Sequence, residues 1–133
     1  MSDEQAVLTE RRGRVLAITL NRPDARNAVN AALAQGGPPA LEELDGDDEL
    51  QVGVLTGAGK GFCAGMDLKA FVQGESPHVE GRGFAGIAQR SADKPLIAAI
   101  GGFAVAGGLE VELACDLVVA ARGAELGIPA DKR

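Results

Sequence analysis

Aromatic side chains are scarce in this chain: 133 residues hold four Phe and no Trp or Tyr, 3% in all. A core therefore has to be built from Ala, Val, Leu and Ile. Clustered bases are missing as well. The formal net charge is −6, and without Lys/Arg clusters or stacking aromatics the chain does not read as a nucleic-acid binder. No apolar run reaches the roughly 18 residues that would span a bilayer. Met1-Ser2-Asp3-Glu4-Gln5 is acidic and polar, unlike a secretory leader. Two cysteines are too few for a disulfide framework, and a reducing cytoplasm is the expected compartment.

Glycine is abundant instead, at 19 of 133 residues, about twice the usual share. With 46% hydrophobic and 24% charged residues, the expectation is one folded domain over 1–133. The stretch Glu42-Glu43-Leu44-Asp45-Gly46-Asp47-Asp48-Glu49 carries as many uncompensated acids as the whole net charge. It reads as a solvated loop at the end of a helix; the alternative is a metal or partner site.

Hydrophobic patterning gives the order of elements. Residues 6–9 and Val15–Leu20 read as a strand pair turned at Arg12-Gly13. Asn21-Arg22-Pro23-Asp24 stops the second strand. A helix is expected from Asn30, a candidate N-cap, through Leu33 to Leu44. It contains Gly36-Gly37-Pro38-Pro39. Interior prolines cost about 3 kcal/mol each and glycines about 1, so a break is expected, or a restart at Pro38 or Pro39. Val52–Leu55 reads as a short buried strand, 72–83 as a mobile loop and 84–91 as a helix. Leu96–Ile100 reads as a strand, Gly101–Gly108 as a glycine-rich turn, Leu109–Ala114 as a helix and Leu117–Ala120 as a strand. Strands alternating with helices argue for an α/β fold.

The first glycine-rich loop follows a strand, the setting of a phosphate cradle. The P-loop spacing fails, because Gly61 follows Gly59-Lys60 and Val54 stands at the first glycine position. The dinucleotide pattern fails at Phe62. Gly61-Phe62-Cys63-Ala64-Gly65 has the spacing of a nucleophile elbow with Cys63 as nucleophile. Such a thiol needs a base, and the one histidine, His78, lies in a polar loop. Cys63 and Cys115 read rather as small buried hydrophobes, and His78 as solvated.

Glycine loops have a further use: they let backbone N–H groups approach a ligand oxygen. The second loop enters its helix at Gly107-Gly108-Leu109-Glu110, where first-turn N–H groups are unpaired and partly positive. Two such donors make an oxyanion hole, worth roughly 3–4 kcal/mol per donor in a transition state. Glu110 falls on the helical face of Gly107. It could hold a carboxylate beside that oxygen, or simply complement the helix N-terminus; spacing leaves both open.

Three segments resemble the crotonase, or enoyl-CoA hydratase/isomerase, superfamily. They are Leu20-Asn21-Arg22-Pro23-Asp24-Ala25-Arg26-Asn27-Ala28, then Leu55 through Gly65-Met66-Asp67-Leu68, and Ile97 through Gly107-Gly108-Leu109-Glu110 to Asp116. They span nearly the whole chain in the family's order, and the second and third are specific as a pair. The resemblance implies a spiral of β-β-α turns and an acyl-CoA thioester substrate, with coenzyme A as part of the substrate and no separate cofactor or metal. It makes the Met66 and Gly107 N–H groups the oxyanion donors for a thioester enolate. It places Ala25, Arg26, Ala64, Met66, Asp67, Leu68, Lys69 and Gly107 along the substrate path. Asp67 also suits the N-cap of a following short helix.

Hydratases of this family set two glutamates around one water. Glu110 matches one. The other follows a Gly-x-Pro, here Gly127-Ile128-Pro129-Ala130, so Ala130 stands in its place. Asp131, one position on, points differently and is not assigned the role. Two further departures are the Gly36–Pro39 run, where the family has a continuous helix, and Glu112, where a small apolar residue is usual. The chain corresponds to the family's N-terminal half. The other half completes the acyl pocket and the helices that build trimers and hexamers, so a homo-oligomer is implied for a full-length protein. The reading is an acyl-CoA enzyme of the hydratase type with Glu110 as its acid/base. The alternatives are a non-catalytic fragment or degenerate copy that at most binds acyl-CoA, and a cysteine hydrolase using Cys63.

Overall fold

A computed structural model of the chain describes residues 5–59, 61–80, 83–84, 86–87, 93–105, 111, 115–120, 122 and 125–127. Strand β1 (Val7–Arg12) and strand β2 (Val15–Leu20) form an antiparallel hairpin, with Arg12 opposite Val15. The turn is therefore Gly13-Arg14, one residue later than the sequence suggests. A 3-10 turn (Pro23–Ala25) leads into helix α1 (Ala31–Gly46), and β3 (Val52–Gly57) follows. Helix α2 (Leu68–Val72) and the short strands β4 (His78–Val79) and β5 (Gly83–Phe84) come next. Then come β6 (Leu96–Ile100), β7 (Phe103–Val105), β8 (Leu117–Ala120) and β9 (Glu125–Gly127).

The strands β2, β3, β6 and β8 are parallel neighbours, and β1 adds an antiparallel edge, giving the order β1-β2-β3-β6-β8. In a second sheet β7 pairs with β9. First strands of the β6-β7 and β8-β9 units thus join one sheet and second strands the other. This is the spiral of an α/β protein built from β-β turns, as expected. Period-two patterning carries through to packing: in β2, Leu16, Ile18 and Leu20 are fully buried while their neighbours are half-exposed. Leu55, Leu96, Ala98 and Ile100 extend that face, and Leu33, Leu41 and Leu44 of α1 lie over it in the same core.

Helix α1 starts where expected: the Asn30 side chain accepts from the Leu33 N–H at 3.0 Å. It does not break at the prolines and runs 16 residues through Pro38 and Pro39. Two effects explain this. Burying Leu33, Leu41 and Leu44 contributes roughly 1.5–3 kcal/mol each, on the scale of the two prolines' combined penalty of about 6 kcal/mol. Neighbouring backbone is also shaped for the irregularity. Gly86, at φ 71, lies against the Ala34 carbonyl, the group Pro38 leaves without a helical donor, and against the Pro38 ring; a Cβ there would collide with both.

The acidic stretch is less free than the sequence suggests. Its first half is the last turn of α1, and there it accepts hydrogen bonds. The Asp45 carboxylate takes the N–H groups of Asp93 and Lys94, and the Lys94 ammonium donates to the Leu44 and Asp47 carbonyls at 2.8 and 2.6 Å. A cation on the last carbonyls complements the helix dipole. Asp47 and Glu49 pair with Arg11.

Other expectations need correction. Within 72–83, His78 pairs with Phe84 and Val79 with Gly83, so the loop contains a small antiparallel ladder. Phe84 is therefore a strand residue and Gly86-Ile87 a turn, not the start of a helix; 85 and 88–91 lie outside the described residues. The turn expected at 101–108 contains β7. Of the helix expected at 109–114 only Val111 is described, and it is helical and fully buried. Among the described residues, no helix is long and apolar enough to cross a membrane.

Candidate active site

Parallel pairing of β2, β3 and β6 brings three loops to one end of the sheet, the carboxyl ends of the strands, where α/β folds place ligands. They begin the three segments singled out in the sequence; residues 106–110 and 112–114 of the third lie outside the described residues. Thr56 of β3 ties the neighbouring strands there, donating to the Ala99 carbonyl at 3.0 Å.

The 22–29 loop is organised by Asn27, the one polar side chain found fully buried among the described residues. Its Oδ1 accepts from the Arg22 N–H at 2.7 Å, and its Nδ2 donates to the Ala58 and Gly61 carbonyls at 2.9 and 3.1 Å. Both Arg26 and Asn27 stand at φ 56, a conformation Asn tolerates better than most residues. Gly57 packs against this amide: a Cβ there would lie 2.8 Å from Asn27 Nδ2 and would also clash with the Gly61 and Phe62 carbonyls. Part of the glycine excess is thus explained by close packing around one buried amide.

From this clamp the second loop is held in place. The Ala64 N–H donates to the Arg26 carbonyl at 3.1 Å. The Cys63 thiol donates to the Asn27 carbonyl at 3.2 Å and accepts from the Gly65 N–H at 3.4 Å. Val29 and Met66 then form a parallel bridge: the Val29 N–H donates to the Gly65 carbonyl at 2.7 Å and the Asp67 N–H to the Val29 carbonyl at 3.0 Å. The Gly65 carbonyl and the Asp67 N–H face Val29; the Met66 N–H, trans to that carbonyl in the same planar peptide, points the opposite way, and no acceptor for it is found among the described residues. An N–H left without a partner in its own ladder is one requirement of an oxyanion donor.

Asp67 follows as the N-cap of α2. Its Oδ1 accepts from the Ala70 N–H at 3.1 Å, and its Oδ2 from Arg22 Nη1 at 3.0 Å. The Ala70 N–H, seconded by Arg22, holds its carboxyl below the usual range. Arg26 is thus joined to Ala64, and Val29 to the Met66–Asp67 segment; Ala25 lies in the same turn as Arg26, and exposed Leu68 and Lys69 follow at the start of α2. Gly107, Glu110, Glu112, Ala130 and Asp131 lie outside the described residues.

The Cys63 elbow reading fails on electrostatics. The thiol is fully buried, and burial pushes it up to about 11. A nucleophilic cysteine needs the opposite shift. His78 is exposed on β4. Cys115 is half-buried, with its thiol 3.7 Å from the Val111 carbonyl. Two residues escaped the sequence reading: Arg22 and Asn27. The available signal was an Asn placed just after a proline turn, where the chain has to reverse.

Comparison with known proteins agrees with this geometry. The sequence profile described as enoyl-CoA hydratase/isomerase matches residues 10–132. A mevalonyl-coenzyme A hydratase of Beauveria bassiana is 42% identical, over 86% of this chain and 45% of that protein. The enoyl-CoA hydratase EchA19 of Mycobacterium tuberculosis is 43% identical, over 91% of this chain and 48% of that protein. Among crystal structures, an enoyl-CoA hydratase from Mycobacterium tuberculosis superposes with a TM-score of 0.91 at 58% identity, covering 95% of this chain and 50% of the other. A carnitinyl-CoA hydratase from Mycobacterium avium gives 0.90 at 50% identity, covering 96% and 50%. The chain spans about half the length of the curated relatives it matches. By its loops, its sheet order and these matches, the chain belongs to the enoyl-CoA hydratase/isomerase family.

Proposed function

We propose that this chain carries the oxyanion-hole half of an acyl-CoA hydratase-type enzyme. The observation that carries the reading is the Val29–Met66 bridge, which leaves the Met66 N–H turned away from its own ladder. The hydratase and dehydratase names of the relatives support an enoyl-CoA or 3-hydroxyacyl-CoA substrate. In this reading Glu110 takes a proton from water as its oxygen adds to the β-carbon. Negative charge collects on the thioester oxygen, facing the Met66 and Gly107 N–H groups. A proton delivered to the α-carbon completes the addition, and that delivery calls for a second acid where Ala130 stands. A homo-oligomer, trimer or hexamer, in the cytoplasm is the corresponding expectation for the whole protein.

Hydration of crotonyl-CoA tests this. The native sequence is expected to turn over slowly, and Ala130→Glu to raise the rate, since an acid–base group contributes roughly 10²–10⁴-fold. Glu110→Gln is expected to abolish what remains. Full hydratase turnover with Ala130 in place would overturn the assignment of one missing acid.

A further inference from the structure

The Arg22 side chain has no role yet in the chemistry described. Its Nη1 donates to the Ala28 carbonyl at 2.6 Å and to Asp67 Oδ2 at 3.0 Å. Both side chains of the ion pair are largely withdrawn from water, at 23% and 18% exposure. The contact joins positions 45 residues apart. It comes from the loop after β2 and ends on the residue immediately following Met66.

We infer that Arg22 is a positioning residue for the Met66 N–H, acting through the Asp67 carboxylate; this rests on the oxyanion reading of Met66. The Gly65–Met66 peptide, which carries the donor, and the Met66–Asp67 peptide after it are both fixed on one side by Val29, whose N–H and carbonyl hold the Gly65 carbonyl and the Asp67 N–H. That bridge sets which way the Met66 N–H points. It is an isolated bridge, with no ladder rung beside it to share the load. The Asp67 side chain adds a second anchor beside it. One carboxylate oxygen is held by the Ala70 N–H in α2 and the other by Arg22 in a different loop. Arg22 is itself held at the Ala28 carbonyl, one residue before Val29. The ion pair and the bridge therefore close a ring, Arg22–Ala28–Val29–Met66–Asp67, around the peptide that presents the donor. A donor displaced by about 1 Å loses on the order of 10²-fold in rate.

The test uses two ligands that share coenzyme A and differ at the reacting oxygen. Acetoacetyl-CoA forms an enolate, whose ultraviolet absorbance reports an oxyanion hole. S-Butyl-CoA, a thioether, has no carbonyl. Arg22→Gln is expected to weaken acetoacetyl-CoA binding at least tenfold and remove most of the bound enolate band, while S-butyl-CoA binding stays within about twofold. Arg22→Lys is expected to keep part of the band. Asp67→Asn keeps a capping oxygen for Ala70 and loses the ion pair, so it guards against a folding defect in Arg22→Gln. It is expected to reproduce the loss, and the double variant to be no worse than the more affected single one. Equal weakening of both ligands, additive losses in the double variant, or an unchanged enolate band would each overturn the positioning role while leaving the oxyanion reading intact. No enolate band in the native chain would overturn both.

Discussion

Replacing Asn27 by alanine removes three hydrogen bonds from the place where the first and second loops meet. The stranded groups are the Arg22 N–H and the Ala58 and Gly61 carbonyls. Each unsatisfied buried group costs about 1–3 kcal/mol. Gly61 is buried whereas Ala58 and Arg22 are half-buried, so the latter two regain some water and count least. Alanine must also adopt φ 56, which adds roughly 1–2 kcal/mol. The sum is about 3–5 kcal/mol, a large part of an ordinary domain's stability of about 5–15 kcal/mol. Urea unfolding followed by circular dichroism measures it. With a slope of about 1–3 kcal/mol/M, the midpoint should fall by more than about 1 M. Asn27→Gly separates the two effects, because glycine accepts this φ but restores no hydrogen bond. Its loss should be smaller by about the strain term. A loss below about 1 kcal/mol in Asn27→Ala would mean that the buried amide is not what holds these loops together.

Three further outcomes follow from the geometry. Pro39→Ala restores the N–H that the Gln35 carbonyl lacks in α1, and should raise stability by about 2 kcal/mol, the proline's helical penalty of about 3 less the roughly 1 by which proline stiffens the unfolded chain; a destabilised variant would show that the proline is needed where it is. Asp67 is held below its ordinary range by the Ala70 N–H and Arg22. Its contribution is therefore present above the unfolded carboxylate value and is lost as pH falls through the lower folded one. Asp67→Asn should flatten the acid side of the stability–pH curve, and an unchanged acid limb would contradict the interaction. Cys63, with its thiol near 11, should react with iodoacetamide far more slowly than half-buried Cys115 in the folded chain. Equal rates at both thiols, read by peptide mass spectrometry, would contradict that burial.

Strand positions were legible because the signal for them is local. The bounds of β2, β6 and β8 follow from short β-branched and aliphatic runs between breakers, and β8 can be read that way even though its four residues are exposed. The course of α1 was not legible. Propensity alone condemns Gly36-Gly37-Pro38-Pro39, and what outweighs it is burial of leucines from either side of that run together with a glycine 48 positions after Pro38. The short β4–β5 ladder escaped for a related reason, since two-residue strands carry no period. In the site, Met66 and Asp67 were found through the resemblance, and the Asp67 cap through residue type. Arg22 was missed because a single arginine in a turn has no pattern; only folding brings it to a carboxylate 45 residues away.

In the proposed function the Met66 N–H donates to the thioester oxygen. Titrating the ¹⁵N-labelled chain with butyryl-CoA and, separately, with coenzyme A tests it most directly. A donor to the carbonyl should show its amide proton moving downfield with butyryl-CoA and staying in place with coenzyme A, while amides of the Arg26 turn respond to both. A Met66 amide that moves equally with the two ligands, or with neither while butyryl-CoA binds, would contradict it.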